Sequence, residues 1–334
     1  MTSRFSNWPH AIACVLVAVT ALLLCFGALV TTFDAAMAVP DWPATYGHNM
    51  FLFPWAEWFY GPWDLFLEHG HRLLGAVVGM ISLLLAAVVW RSCQSPAVRA
   101  LAAAAVLLVV VQGVLGGARV LLDDKTVAKV HACTGPLFFA VAVAIATLTR
   151  RSVLTPPPDQ TSAGTTSAAR SAGGLALASY VQLVAGAQLR HLDTAVDPGT
   201  FRWLVAFHLA GAVAVAAFAV AAVVCTRTCS PPTARRWSRA LLLLVGGQIA
   251  LGIGAWIVNW GLPSAWLPAS WTFSDPLLAR SVWGATVVTG HVVLGMMILG
   301  GSVVLALATG LLRSSASVTA RSQQADRLRE RAFA

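Results

Sequence analysis

Charge is what this sequence has least of. Only 10% of its 334 residues are Asp, Glu, Lys or Arg, against 58% hydrophobic, whereas an ordinary soluble domain carries about 25% and 45–50%. The mean hydropathy is +0.75. Such a composition excludes a soluble globular enzyme and a disordered chain. Lysine is nearly missing, with two residues against twenty arginines. Six cysteines are present, but Cys14, Cys25, Cys93, Cys133, Cys225 and Cys229 all fall in apolar runs or beside the inner loops, so no outer disulfide scaffold is expected. Cys225 and Cys229, one helical turn apart without further ligands nearby, read as packing residues. No glycine-rich phosphate loop follows a strand-like run, so no soluble nucleotide cofactor is indicated. No cluster offers the three or four close ligands that zinc needs.

Long apolar runs are what the chain does have. A span needs about 20 apolar residues, and eight runs meet this, at roughly 10–32, 64–90, 98–118, 127–149, 172–191, 201–224, 238–258 and 281–311. The expected fold is therefore an all-α polytopic membrane protein with eight transmembrane helices. The net charge of +9 then reports topology rather than nucleic-acid binding. Fifteen basic residues fall on the side holding both termini and seven on the other, which places both termini in the cytoplasm. Ten of the thirteen acids lie on the outer side. The outer loop at about 33–63, rich in Trp, Phe and Pro, suits the membrane interface. Ala36-Met37-Ala38 resembles a signal-peptide cleavage site, but the run before it is long for such a signal. With no Arg/Ser-rich transit segment ahead of it, the expectation is a bacterial cytoplasmic membrane. The Arg-rich tail also suits anionic lipid.

The two halves resemble each other. His71-Arg72-Leu73-Leu74-Gly75 compares with His208-Leu209-Ala210-Gly211-Ala212, Gln112 to Gly117 with Gln248 to Gly254, and His131 to Gly135 with His291 to Gly295. Four spans per half give a parallel repeat, so the expected architecture is two pseudo-symmetric four-helix bundles. The expected division is an N-terminal bundle over 1–155, a flexible Pro/Ser/Thr-rich cytoplasmic linker over 156–171, a C-terminal bundle over 172–312 and a basic cytoplasmic tail over 313–334.

Four histidines, His71, His131, His208 and His291, sit inside apolar spans, where an ionisable side chain is costly without a partner. All four lie on helices running inward, roughly 4 to 11 residues past the outer edge, or about 6–17 Å at 1.5 Å per residue. Each is followed at i+4, on the same helix face, by a small residue: Gly75, Gly135, Ala212 or Gly295. A flat space beside an imidazole suits a porphyrin held between two helices. Two histidines per bundle then give one bis-histidine heme site in each half, His71 with His131 and His208 with His291. The competing reading is that each histidine makes a helix–helix hydrogen bond and the small residues merely permit close packing. His10, His48, His69 and His191, near interfaces or in loops, read as non-ligands.

The first half has an addition. Glu68 precedes His71 by three residues, so both lie on one helix face, and the sixth span has no matching acid. A partly desolvated carboxylate beside a heme edge can serve as acid or base. The alternative is an i to i+4 pair with Arg72 that only orients the span.

Glu68-His69-Gly70-His71-Arg72 resembles the Glu-x-x-His-Arg motif of the heme A synthase family. Pro40-Asp41-Trp42-Pro43 resembles that family's Pro-Asp-Trp-Pro, and the Gln112–Gly117 segment, His131, His208 and His291 complete the pattern in order, from about residue 11 to 311. The resemblance implies oxidation of a heme O methyl group to the formyl group of heme A, through hydroxylated intermediates and with water-derived oxygen. It implies Glu68, His71 and His131 as catalytic residues around the substrate heme. It implies His208 and His291 as ligands of a resident heme b that accepts or relays electrons. Implied partners are heme O, a farnesyltransferase that makes it, cytochrome oxidase assembly factors and membrane lipid, with no nucleic acid; a homo-oligomer is compatible with it. The sequence departs from many members in lacking an outer-loop cysteine pair, with Val39 at the place just before the motif. Two other functions fit parts of the pattern: a diheme b-type cytochrome that only moves electrons, which leaves Glu68 unused, and a heme-free transporter, which leaves the matched histidines unused.

Overall fold

The computed structural model describes residues 7–93, 95–150, 163–192, 196–261 and 281–310. The expected tail over 313–334 and the stretch 156–162 of the expected linker lie outside them. The described residues form nine helices: α1 Trp8–Thr32, α2 Trp55–Tyr60, α3 Trp63–Ser92, α4 Pro96–Leu122, α5 Lys125–Leu148, α6 Ala163–Arg190, α7 Pro198–Cys229, α8 Pro232–Trp260 and α9 Val282–Ala308. All but α2 are long and apolar enough to cross a membrane, so this is an all-helical, multi-pass membrane protein. Among the described residues the sole β feature is an isolated Thr45–His48 bridge.

The starts of these helices follow from local chemistry. Prolines stand in the first turn of α1, α4, α7 and α8, where their missing N–H costs nothing. Asp124 caps α5 by accepting the Thr126 and Val127 N–H groups at 2.5 and 3.0 Å. Asp197 accepts from Thr200 at 3.0 Å and Ser281 from Gly284 at 3.0 Å, each satisfying a donor the helix leaves open. The capping bonds hold Asp124 below the usual carboxylate range, against the opposing pull of desolvation. The helix α6 begins inside the stretch expected to be a flexible linker. Its first turns carry Ala168 and Ala169, fully buried against the protein, so packing rather than hydropathy sets that start.

The buried apolar side chains form two principal clusters. One draws on α1, α3, α4 and α5, through Leu16, Leu85, Val89, Ala102, Phe138 and Ile145 among others. The second draws on α6, α7, α8 and α9, through Leu175, Ala219, Leu241, Ile298 and Leu305. Between them, Gly300 of α9 lets the Phe139 ring of α5 lie against its backbone. Tyr180 of α6 donates to the Cys133 carbonyl of α5 at 3.3 Å. Arg190, at the end of α6, donates through Nη2 to the Ala28 carbonyl and to Thr32 Oγ1 of α1, both at 2.6 Å. Large apolar side chains such as Leu83, Val213 and Leu243 point outward and are 58–78% exposed, as expected where the solvent is hydrocarbon. Several buried hydroxyls are satisfied within the protein, as in the Thr226–Ser238 contact of 2.8 Å.

Candidate functional site

The four span histidines come together as two pairs. His71 of α3 faces His131 of α5 with ring centroids 6.4 Å apart and planes at 79°. His208 of α7 faces His291 of α9 with centroids again 6.4 Å apart and planes at 60°. The four lie at similar depth, six to ten residues into helices that start at the end carrying the 33–62 loop, or about 9–15 Å along the axis.

Each ring rests on a glycine of a neighbouring helix. A Cβ built on Gly27 would stand 3.0 Å from His71 Cε1, on Gly116 3.4 Å from His131 Cε1, on Gly186 3.3 Å from His208 Cε1, and on Gly252 3.0 Å from His291 Cε1. These glycines admit the imidazoles between helix backbones. Three glutamines add a second device. Gln112 Nε2 donates to the His131 carbonyl at 3.3 Å, Gln182 Nε2 to the His208 carbonyl at 2.9 Å, and Gln248 Nε2 to the His291 carbonyl at 2.9 Å. Gln112 also donates to Thr134 Oγ1. Two of the three i+4 glycines have a different job from the one expected of them. Gly135 and Gly295 are approached by Leu24 and Gln112 and by Gln248 and Leu183, so they admit neighbouring side chains rather than open a flat space; beside Gly75 alone does no atom come within 4 Å of a Cβ position.

The donor set can be tested against a heme. The Nδ1 atoms of His71, His131 and His208 are buried without a hydrogen-bond partner, while His291 Nδ1 lies 3.2 Å from the Gln248 carbonyl. Two imidazoles on one metal, each nitrogen about 2.0–2.1 Å from it and roughly 1.1 Å from its ring centre, stand about 6.2–6.4 Å apart between centres. Both pairs meet that separation. Among the described residues no group of three or more His, Cys, Asp or Glu could hold a metal, so two imidazoles per site are the donors on offer. That is the ligand set of a six-coordinate porphyrin iron, and the residues fit the group.

Above the first pair, the loop after α1 is bolted to the helices. Glu68, 4% exposed, accepts from the Val39 N–H on Oε2 at 2.9 Å and from Arg72 Nη2 on Oε1 at 2.7 Å. Arg72 also donates to the carbonyls of Val39 (2.6 Å), Asp41 (2.6 Å) and Ala44 (3.0 Å). Among the described contacts none joins Glu68 to either imidazole. Trp42 of the Pro-Asp-Trp-Pro segment lies flat on Gly117 of α4, where any Cβ would collide with its indole. Arg119 of α4 donates to the Ala36 carbonyl at 3.0 Å. Asp41 accepts the Gly47 and Tyr46 N–H groups at 2.7 and 2.9 Å. Burial pushes its carboxyl up, but those bonds outweigh it and hold Asp41 below the usual range. Tyr46, bonded to the Ala38 carbonyl, is pushed up by burial and by the carboxylates of Asp64, Glu68 and Asp41.

The remaining histidines have other partners. His69 is fully buried, with Nδ1 3.0 Å from Thr45 Oγ1 and its ring against Phe53 and Trp58. His10 Nδ1 lies 2.9 Å from the Ala146 carbonyl. His191 is pushed down to about 4 by burial and by Arg190, Arg119 and Lys129, so it is neutral at pH 7. Gly27, Gly186 and Gln182 escaped the sequence reading, and Gly116 and Gly252 entered it only as members of the repeated Gln112–Gly117 and Gln248–Gly254 segments. A signal for them exists: Gln112–Gly116, Gln182–Gly186 and Gln248–Gly252 repeat one Gln-x-x-x-Gly spacing.

Eight apolar spans enclosing two buried imidazole pairs define a polytopic membrane protein whose paired imidazoles could each take a flat, metal-centred ligand. Residues 62–206 match the model of the COX15-CtaA family, cytochrome oxidase assembly protein. The matched region takes in Glu68, His71, Arg72, Gln112, His131 and Gln182 and stops just before His208. The chain is also 31% identical over 177 residues to a protein of Shouchella clausii (strain KSM-K16) named Heme A synthase, an alignment covering 52% of this chain and 56% of that one. The chain thus spans about half the length of the curated relative it matches.

Proposed function

We propose that this protein is a heme A synthase, a membrane oxidoreductase acting on a methyl group of heme O. The observation that carries the reading is the pair of imidazole clamps, each with 6.4 Å between ring centroids, in a chain that matches the family through the first clamp. The reaction is R–CH3 + H2O → R–CHO + 4 H+ + 4 e−, passing through hydroxylated intermediates. The substrate heme lies in the N-terminal bundle, residues 1–155, between His71 and His131. His208 and His291 would hold a heme b in the C-terminal bundle, residues 172–312, a group that would relay the four electrons one at a time to an acceptor outside the chain. The two bundles are related by a pseudo-twofold axis along the membrane normal.

His71 and His131 fix the substrate against rotation, so one edge of the macrocycle stays under the loop that Arg72 ties down. Glu68 stands at that end of the clamp. Held by two donors, it is preorganised to receive a proton or face a developing positive charge without reorienting. The Trp42 lid on Gly117 keeps bulk water from the same edge while the Arg72–carbonyl network stays closed. The substrate comes from a farnesyltransferase that makes heme O, and the product goes to cytochrome oxidase assembly. The membrane is the bacterial cytoplasmic one, with both termini inside.

The test is expression with a heme O-producing enzyme, followed by heme extraction and mass analysis. Heme A or its hydroxylated precursor, appearing only with this protein, is the expected result. Heme B alone, at up to two per chain despite available heme O, would instead identify an electron-transfer cytochrome, and no heme would overturn both. Glu68→Ala should abolish heme A while both pairs still bind heme; unchanged heme A production would remove Glu68 from the chemistry.

A further inference from the structure

Three of the four span histidines are pinned at the backbone and one is not. The amides of Gln112, Gln182 and Gln248 bond the carbonyls of His131, His208 and His291, each from a position four residues before the glycine on which the ring rests. The matching position before Gly27, the glycine under His71, is Leu23. Leucine has no donor, and it packs instead with the apolar core of the first four helices. In the other three pairs the amide approaches a glycine three or four residues after the histidine: Gly135, Gly211 or Gly295. The corresponding Gly75 has no side chain within 4 Å of its Cβ position. The helix carrying His71 is therefore the one of the four that no glutamine amide ties to a neighbour, and the one with room beside it.

We propose that His71 is the movable ligand of the four, and that Leu23 is the positioning residue that makes it so. The N-terminal pair is then built to release and recapture a tetrapyrrole, while the C-terminal pair, pinned by Gln182 on one side and Gln248 on the other, retains its own. This rests on the proposed function, which needs one site that exchanges substrate for product and one that does not. It adds the physical reason the two halves differ despite equal imidazole spacing.

The test is heme transfer from the loaded full-length protein in detergent to excess apomyoglobin, followed in the Soret band. Two phases are expected in the native protein, and His208→Ala, which removes the second clamp, should keep the fast phase alone. Leu23→Gln should slow the fast phase about two- to tenfold, the worth of one hydrogen bond, and leave the slow phase unchanged. Gln248→Leu should speed the slow phase by a similar factor. A single phase in the native protein, or a fast phase unmoved in loaded Leu23→Gln, overturns the proposal. If Leu23→Gln does not fold, an unmoved slow phase in both Gln248→Leu and Gln182→Leu overturns it equally. Absence of any Soret band in the native protein is a different failure, that of the proposed function itself.

Discussion

Replacing Arg72 with methionine keeps the stem and removes every donor. In the native protein that guanidinium serves four acceptors: the Val39, Asp41 and Ala44 carbonyls and Glu68 Oε1. The two side chains of the ion pair are only 9% and 5% exposed, so solvent cannot take over. Arg72→Met leaves Glu68 as a buried carboxylate with one N–H donor, and breaking a buried pair from one side costs about 3–5 kcal/mol. Glu68→Gln removes the charge but keeps an acceptor for the Val39 N–H, and Arg72 retains three carbonyls. Its cost should be about 1.5–3 kcal/mol, one charge-assisted bond. In the double variant no buried charge is stranded, so its cost should fall short of the sum by about 0.5–3 kcal/mol. The assay is thiol labelling during heating in detergent, because Cys25, Cys93 and Cys133 are partly buried and react fully once the helices part. Limited proteolysis of the 33–62 loop at low temperature reads the local effect. Arg72→Met should expose the loop to cleavage well before the helices unfold. Strictly additive costs in the two single variants would refute the coupling and, with it, the idea that this pair closes the loop over the first clamp.

Three further outcomes are expected. Gly252→Ala puts a methyl 3.0 Å from His291 Cε1, whereas Gly186→Ala puts one 3.3 Å from His208 Cε1; overpacking costs about 1–3 kcal/mol, so heme titration should show the larger loss of affinity for Gly252→Ala, and equal losses would count against the ring-seat geometry. Gly117→Ala should unseat Trp42 and open the loop to protease with little change in the heat stability of the bundle, while an unchanged loop would show that the indole does not need the bare backbone. Asp41 is held low in the folded loop, so its contribution is present above its unfolded value near 3.9 and is lost as the pH falls through the lower folded one. Pepsin should therefore cut the 33–62 loop of the native protein only below about pH 4, whereas Asp41→Asn should be cut equally at pH 5.

The eight spans and the four clamp histidines were legible because each is a local property: a long apolar run, or an ionisable residue inside one. The edges were less so. Helix α6 starts at Ala163, in a stretch whose Ser, Thr and Ala depress hydropathy without opposing helix formation once Ala168 and Ala169 find a surface to pack against. The pairing of His71 with His131 and His208 with His291 followed from repeat symmetry. The seats under the rings did not, since Gly27, Gly116, Gly186 and Gly252 act on another helix and their role depends on interhelical register. The i to i+4 spacing made a Glu68–Arg72 pair readable, but nothing local to Glu68 announces the Val39 N–H, 29 residues back in the chain. The small residues after each histidine were seen, but what approaches Gly135 and Gly295 was not, for the same reason: spacing gives a face, not what faces it.

Arg190 carries a mechanical consequence. Its guanidinium grips the Ala28 carbonyl and Thr32 Oγ1 of the first helix a few residues above the Gly27 seat, while Phe139 is socketed on Gly300 farther down. Two anchors at different heights oppose tilting of one half against the other. A machine that works by rocking its halves, as an alternating-access carrier does, would have to tear out both at every stroke. Under the proposed function the stiffness becomes an asset: the gap an electron must cross between the two clamps keeps a constant length through turnover, and traffic in and out of the first clamp has to be handled by local side-chain motion.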